Sequence, residues 1–192
     1  MAVVALAAAL AACEDEPSAA PPSGVIVPCG KRVEGPPGLP KLERRRDVIT
    51  SGIVFYGLRE EARRARRRPE GVARRYANGI GAIKVLVGVW SGLRTRVTLE
   101  RQSRRSAGLA YGPSPEPRLP RNTLDVSERT VEFRACPNDK PRFSGGGVVG
   151  PLTQFSGGFL VARAHCMRLR IAVAGHGVRR VALGYGVPPG RC

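Results

Sequence analysis

Alternation of apolar and polar positions with a period of two recurs along most of this chain and predicts short β-strands. Thr130 to Ala135 alternates cleanly, with Val131, Phe133 and Ala135 on one parity and Glu132 and Arg134 on the other. Met167, Leu169, Ile171 and Val173 alternate in the same way with Arg168, Arg170 and Ala172. Arg94 to Glu100 sets Val97 and Leu99 inward against Arg96, Thr98 and Glu100 outward. Ala82 to Trp90 differs, because Ile83, Val85, Val87 and Val89 share one face while Leu86 and Trp90 occupy the other. Two apolar faces predict a central strand, and Ser91-Gly92 predicts a turn that pairs it with 94–100 as a hairpin. Further strands are expected at Ile53 to Tyr56, Gly158 to Ala162 and Val178 to Tyr185. A short one is expected near Leu109 to Tyr111, inside a polar, Pro-rich connection from Arg101 to Leu124.

One segment breaks the period of two. Leu58, Ala62 and Ala65 fall on one face of a helix from Leu58 to Arg68, which Pro69 stops. Several short strands, one helix, 24 glycines and 17 prolines in 192 residues point to an all-β domain rich in turns. The expected fold is an antiparallel immunoglobulin-like β-sandwich, with a small β-barrel as the alternative. No βαβ alternation is visible, which excludes the parallel nucleotide-binding folds.

The first residues follow another logic. Met1 to Ala12 is an uncharged apolar run, as long as the apolar part of a signal peptide and too short to cross a bilayer as a helix. Leu10-Ala11-Ala12-Cys13 resembles the bacterial lipobox, whose cysteine is lipidated and becomes the mature N-terminus. Glu14 to Gly24 is polar and Pro-rich and cannot pack as a core, which suits a flexible tether. The expected organisation is a signal peptide over 1–12, a tether and extended approach segment over 13–47, and a β-sandwich domain over 48–192.

With Cys13 lipidated, Cys29, Cys136, Cys166 and Cys192 remain. Four thiols in an exported domain read as two disulfides with three connectivities. Cys136 with Cys166 and Cys29 with Cys192 is the expected pairing, since the first closes a Gly-rich hairpin and the second ties the ends of the domain. Both cysteines of the first pair fall on outward parities, which predicts a surface staple. No two cysteines sit at CxxC spacing, which argues against a structural zinc.

The net charge is +17, from 32 basic and 15 acidic residues. A field of that size attracts polyanions of any kind and says nothing about fold. The basic residues are dispersed, and Arg44-Arg45-Arg46 reads as a solvated run. Residues 59–75 are the most basic window, with eight arginines against three glutamates. Arg63, Arg64, Arg66, Arg67, Arg68, Arg74 and Arg75 are the candidate polyanion-binding set. Of the stacking aromatics that single-stranded nucleic acid requires, only Tyr76 is near, so no specific nucleic-acid partner is expected.

Catalytic and cofactor patterns are sparse. Gly145 to Gly150 satisfies GxGxxG by letter, but the dinucleotide fingerprint needs a helix N-terminus after it, and Pro151 and another strand pattern follow. The glycines are expected in turns. His165-Cys166-Met167 gathers three copper-friendly residue types, yet neighbours on a strand point to opposite faces. No GxSxG elbow occurs, and Asp125, Glu128, Glu132 and Asp139 form no acid-base pattern. No metal, cofactor or catalytic residue is therefore assigned.

Towards the C-terminus, FRACP from Phe133, FSGGG from Phe143, TQFSGGF from Thr153, a further cysteine and the closing Gly-Arg-Cys resemble a group of uncharacterised exported proteins and lipoproteins of high-GC actinobacteria. The resemblance implies export and no particular activity. The expectation is a lipoprotein anchored through Cys13 on the outer side of the cell membrane, or else secreted. It would act as a non-enzymatic binding or structural module of the cell envelope, with anionic lipid or cell-wall polymer as candidate partners. A cell-envelope enzyme and a polyanion-binding protein using 59–75 are the alternatives.

Overall fold

Strand-forming residues are plentiful here and long helical stripes are not, so backbone hydrogen bonds are met chiefly between strands. The computed structural model describes residues 24–33, 42–67, 74–75, 80–112, 124, 127–137, 141–144, 147–188 and 190–192. The leader, Cys13, most of the tether and Arg68 lie outside them.

The strands are β1 (Val25–Val27), β2 (Val48–Ile49), β3 (Ile53–Phe55), β4 (Arg74–Arg75), β5 (Gly81–Lys84), β6 (Val87–Trp90) and β7 (Arg94–Leu99). After them come β8 (Ala107–Ala110), β9 (Thr130–Arg134), β10 (Pro141–Ser144), β11 (Gly147–Phe155), β12 (Gly158–Val161), β13 (His165–Val173) and β14 (Gly177–Tyr185). One sheet runs β1-β9-β7-β13-β14, a second β10-β11-β6-β3-β2 and a third β4-β5-β12-β8. Among the described residues every ladder is antiparallel except β1 with β9. The fold is all-β and sandwich-like, and the ladders among the described residues close no barrel.

The alternation read from the sequence places the core. Val97, Leu99, Val131, Phe133, Met167, Leu169 and Ile171 are buried from the first sheet, and Ile53, Phe55, Val87, Val89 and Phe155 from the second. The third sheet adds Ile83, Leu109 and Phe159 to the same cluster. Four of the five phenylalanines meet there with Tyr111. Phe55 stands 6.0 Å from Phe159, Phe159 6.0 Å from Tyr111, Tyr111 5.2 Å from Phe133 and Phe133 5.2 Å from Phe155. The low aromatic content is thus concentrated where the three sheets join, at tilted and edge-on geometries that aromatic quadrupoles favour.

Two expectations about strand pairing are corrected. Ala82 to Trp90 is not one strand, because it breaks at Val85-Leu86 and puts β5 in the third sheet and β6 in the second. Its partner breaks at the same level. Lys84 pairs with Gly158 in one ladder and Val87 with Phe155 in the next, so both strands turn the corner together at Ser156-Gly157. Such corners are how strands change sheets in sandwiches. The second Phe-Ser-Gly-Gly string serves this corner: a Cβ on Gly157 would strike the Tyr111 ring, and one on Gly158 the carbonyl oxygen of Ile83. The second correction concerns Ser91-Gly92. It does make a turn, with Gly92 at φ 75°, but β6 and β7 lie in different sheets and form no hairpin.

The cysteines pair as Cys29–Cys136 and Cys166–Cys192, with Cα separations of 4.8 and 5.5 Å. The expected partners are replaced for a topological reason. β9 and β13 flank β7 on either side, and the registers set Arg134 opposite Arg94 and Leu169 opposite Leu99. Extending both ladders leaves Cys136 and Cys166 about ten positions apart along β7, on the order of 30 Å. The parallel β1–β9 ladder instead matches Val27 with Phe133 and brings Cys29 beside Cys136. Cys136 is buried and not on an outward face, whereas Cys166 keeps its expected parity and is half-buried.

Part of the 13–47 segment is built into the fold. β1 adds Val27 to the core, and buried Asp47 accepts hydrogen bonds from the backbone N–H of Glu43 (2.8 Å) and Gly57 (2.7 Å). Gly147 to Gly150 belong to β11 and not to a turn, and no helix N-terminus follows them to receive a pyrophosphate. Gly145 and Gly146 lie outside the described residues.

Candidate anion-binding site

The helix α1 (Leu58–Arg67) forms as its periodicity predicts, with Leu58, Ala62 and Ala65 buried. It packs along β14, the edge strand of the first sheet, and covers part of that edge. Its start is held by the turn at 43–47. Arg46 O accepts the N–H groups of Arg59 (2.9 Å) and Glu60 (3.1 Å), while Asp47 takes that of Gly57. These bonds satisfy backbone donors that every helix N-terminus leaves open.

The charges on α1 are sorted by helical position. Arg59, Arg63 and Arg66 stand at i, i+4 and i+7 on one stripe around Ala62. Both glutamates of the first turn point elsewhere: Glu60 pairs with Arg64 (2.5 Å) and Arg46 (3.3 Å), and Glu61 with Arg64 (3.1 Å). Arg59, Arg63 and Arg66 join Arg44 and Arg45 around an open cavity of about 290 Å³. Its remaining walls are Ala62, Ala182, Leu183 and Gly184, so the cavity lies between α1, the 43–47 turn and β14. None of these five guanidinium groups meets a carboxylate among the described residues.

Two of the five are tied in place by backbone oxygens. Arg59 Nε donates to Asp47 O (3.0 Å) and Arg63 Nη2 to Arg45 O (2.7 Å). Guanidinium carries five N–H donors, so each tie leaves most of the fork available to a ligand. The cavity is therefore a cationic recess of guanidinium donors over a floor of small apolar side chains. It can hold an anion by charge-assisted hydrogen bonds.

The structure divides the candidate polyanion-binding set. Arg63 and Arg66 line the recess, Arg64 is turned towards the glutamates, and Arg67 is exposed beyond the lining. Arg74 and Arg75 form the two-residue strand β4 at the edge of the third sheet. Arg59, outside that set, also lines the recess, and so do Arg44 and Arg45, which the sequence presents as a solvated run. The stripe at 59, 63 and 66, opposite Glu60, Glu61 and Arg64, was a legible signal for the helix side. Nothing local could have placed Arg44 and Arg45 beside it.

Elsewhere the chemistry-bearing residues are engaged. His165 Nδ1 donates to Arg163 O (2.8 Å), which assigns the ring proton to Nδ1 and leaves Nε2 buried without a hydrogen-bond partner. Burial holds the His165 pKa below its usual value, the positive charge of Arg163 lowers it further, and the backbone hydrogen bond partly opposes this. Cys166 is in a disulfide and Met167 is fully buried. Burial would raise the Glu132 pKa, but hydrogen bonds and charge from Arg134 and Arg96 outweigh it and leave the carboxyl below its usual range. Among the described residues no group of three or more His, Cys, Asp and Glu could hold a metal ion. A second cavity of about 320 Å³ beside β1 is lined by Ile26, Tyr111 and Lys31 among others, and gathers no comparable set of like charges. No described helix is long and apolar enough to cross a membrane.

No protein-family model, curated protein or solved structure matches this chain.

Proposed function

We propose that this protein is an extracytoplasmic lipoprotein, anchored through Cys13, that acts as a non-enzymatic binding module for anionic components of the cell envelope. The observation that carries the binding role is the recess at α1, where five arginines converge without a carboxylate among the described residues. Like charges held together repel one another, and an anion in their midst relieves that cost. Two disulfides support an oxidising compartment, and the lipobox-like Leu10 to Cys13 supports the anchor. Anionic headgroups and acidic wall polymers both present the required charge near such an anchor.

The test is elution from immobilised heparin in a salt gradient. A triple R59S/R63S/R66S variant is compared with a control triple, R94S/R129S/R179S, which removes the same charge from exposed positions outside the recess lining. The recess triple should elute at clearly lower salt than the control. Equal elution would reduce the interaction to overall net charge and sink the binding site. Intact mass of the membrane-extracted protein reports acylation at Cys13, and an unmodified full-length chain in that fraction would remove the anchor.

A further inference from the structure

We infer that the arginine recess is a subsite for a compact phosphate group carrying at least two negative charges, a terminal phosphomonoester or a pyrophosphate. The inference rests on the anion-binding reading above and narrows it to one ligand chemistry. The first argument is what the walls lack. Apart from the arginines they offer Ala62, Ala182, Leu183 and Gly184, with no hydroxyl, amide or aromatic side chain. Such a floor can neither hydrogen-bond a sugar nor stack a base, so recognition falls on charge and on oxygen geometry. The second argument is charge density. Five guanidinium groups around about 290 Å³ would be poorly answered by a single carboxylate, whereas a phosphomonoester brings two negative charges and three terminal oxygens into one tetrahedron.

The third argument is preorganisation. Asp47 fixes the 43–47 turn to the start of α1 through the N–H groups of Glu43 and Gly57. Arg59 and Arg63 are then tied to that turn by the carbonyls of Asp47 and Arg45. Guanidinium forks held this way lose little freedom on meeting phosphate oxygens, which is where arginine surpasses lysine. The fourth argument is size. The recess falls just below the usual range for drug-sized ligands, of about 300 to 1,000 Å³. Its rim residues Arg44, Arg45, Arg59 and Arg63 are exposed, so a terminal group can enter while the rest of its molecule stays outside. Ala62 and Ala182 present only methyl groups to this space.

The experiment is calorimetric titration of the disulfide-intact protein with inorganic pyrophosphate at low salt, using three variants. A182L fills the recess and keeps every arginine; Ala182 is exposed on β14, so the larger side chain threatens the fold little. R63K keeps the charge and removes the fork. R94S/R129S/R179S is the charge control. We expect A182L and R63K each to weaken pyrophosphate binding by about tenfold or more, at a far smaller cost to heparin retention than the recess triple causes. The control triple should weaken it less than either. Pyrophosphate binding that is undisturbed by both A182L and R63K, or disturbed equally by the control, overturns the subsite. Absence of pyrophosphate binding by the parent, while heparin retention still depends on Arg59, Arg63 and Arg66, overturns the subsite and leaves the general reading standing. A second arm identifies the source of the phosphate. Preference for vesicles bearing phosphatidic acid over phosphatidylglycerol at matched surface charge supports a lipid headgroup, and pyrophosphate binding without that preference supports a phosphate group free in solution.

Discussion

Cutting the Cys29–Cys136 bond should destabilise this protein more than cutting Cys166–Cys192, and the difference follows from loop length. The two bonds close separations of 107 and 26 residues. The chain-entropy relation gives about 4.8 kcal/mol for the longer loop and about 3.5 kcal/mol for the shorter, a difference of about 1.3 kcal/mol. Against a typical domain stability of roughly 5 to 15 kcal/mol, either loss is large. The native side adds to the first bond, because Cys29 secures the segment after β1, whose ladder to β9 spans only three residues. In the variants C29S/C136S and C166S/C192S, unfolding in urea can be followed by fluorescence of Trp90, the single tryptophan, which packs half-buried against Val54, Tyr56 and Leu152. Both midpoints should fall, that of C29S/C136S further, and both slopes should rise as the unfolded chain expands. Peptide mapping without reduction should recover Cys29 linked to Cys136. The reverse order of stability, or a peptide linking Cys136 to Cys166, would refute the topology from which the argument starts.

Three further outcomes are expected. F133A removes a ring that meets both Tyr111 and Phe155 at the junction of the sheets, and should cost roughly 3 to 5 kcal/mol in thermal or urea unfolding; a loss below about 1 kcal/mol would show that the junction is not packed as described. G158A places a methyl against the Ile83 carbonyl oxygen at the corner of β12, and should destabilise by more than about 1 kcal/mol, with no gain from restricting the unfolded chain. His165 is favoured in its neutral form by burial, so its folded pKa lies below the ordinary 6.5. The stability it contributes is complete above that ordinary value and is lost as pH falls towards and through the lowered one. H165Q should therefore show a shallower loss of stability between pH 7.5 and pH 5 than the parent, and parallel pH profiles would contradict a half-buried imidazole held in its neutral form.

Much of the burial pattern is legible in the sequence. The parity of Val131 and Phe133, the alternation from Met167 to Val173, and the stripe Leu58, Ala62 and Ala65 all describe residues that are buried in the fold. Burial of this kind belongs to one element at a time, and the period of a strand or helix writes it into neighbouring residues. Even the charge sorting on α1 is local, since positions 59, 63 and 66 share a face by helical geometry alone.

Which strand lies beside which is a relation between distant residues, and no local period records it. Ala82 to Trp90 reads as one strand because both its halves are apolar, yet the corner at Gly157-Gly158, more than sixty residues on, divides it between two sheets. The cysteines carry no mark of their partners, and the parallel pairing of β1 with β9 decided them. Arg44 and Arg45 looked like solvated charge until Asp47 fastened their turn to the start of α1 and β14 closed the third wall. The residue types and faces were local matters, settled by period and composition. The pairings, the disulfides and the recess came from contacts across the chain, because cooperative packing selects among arrangements that the same local pattern allows.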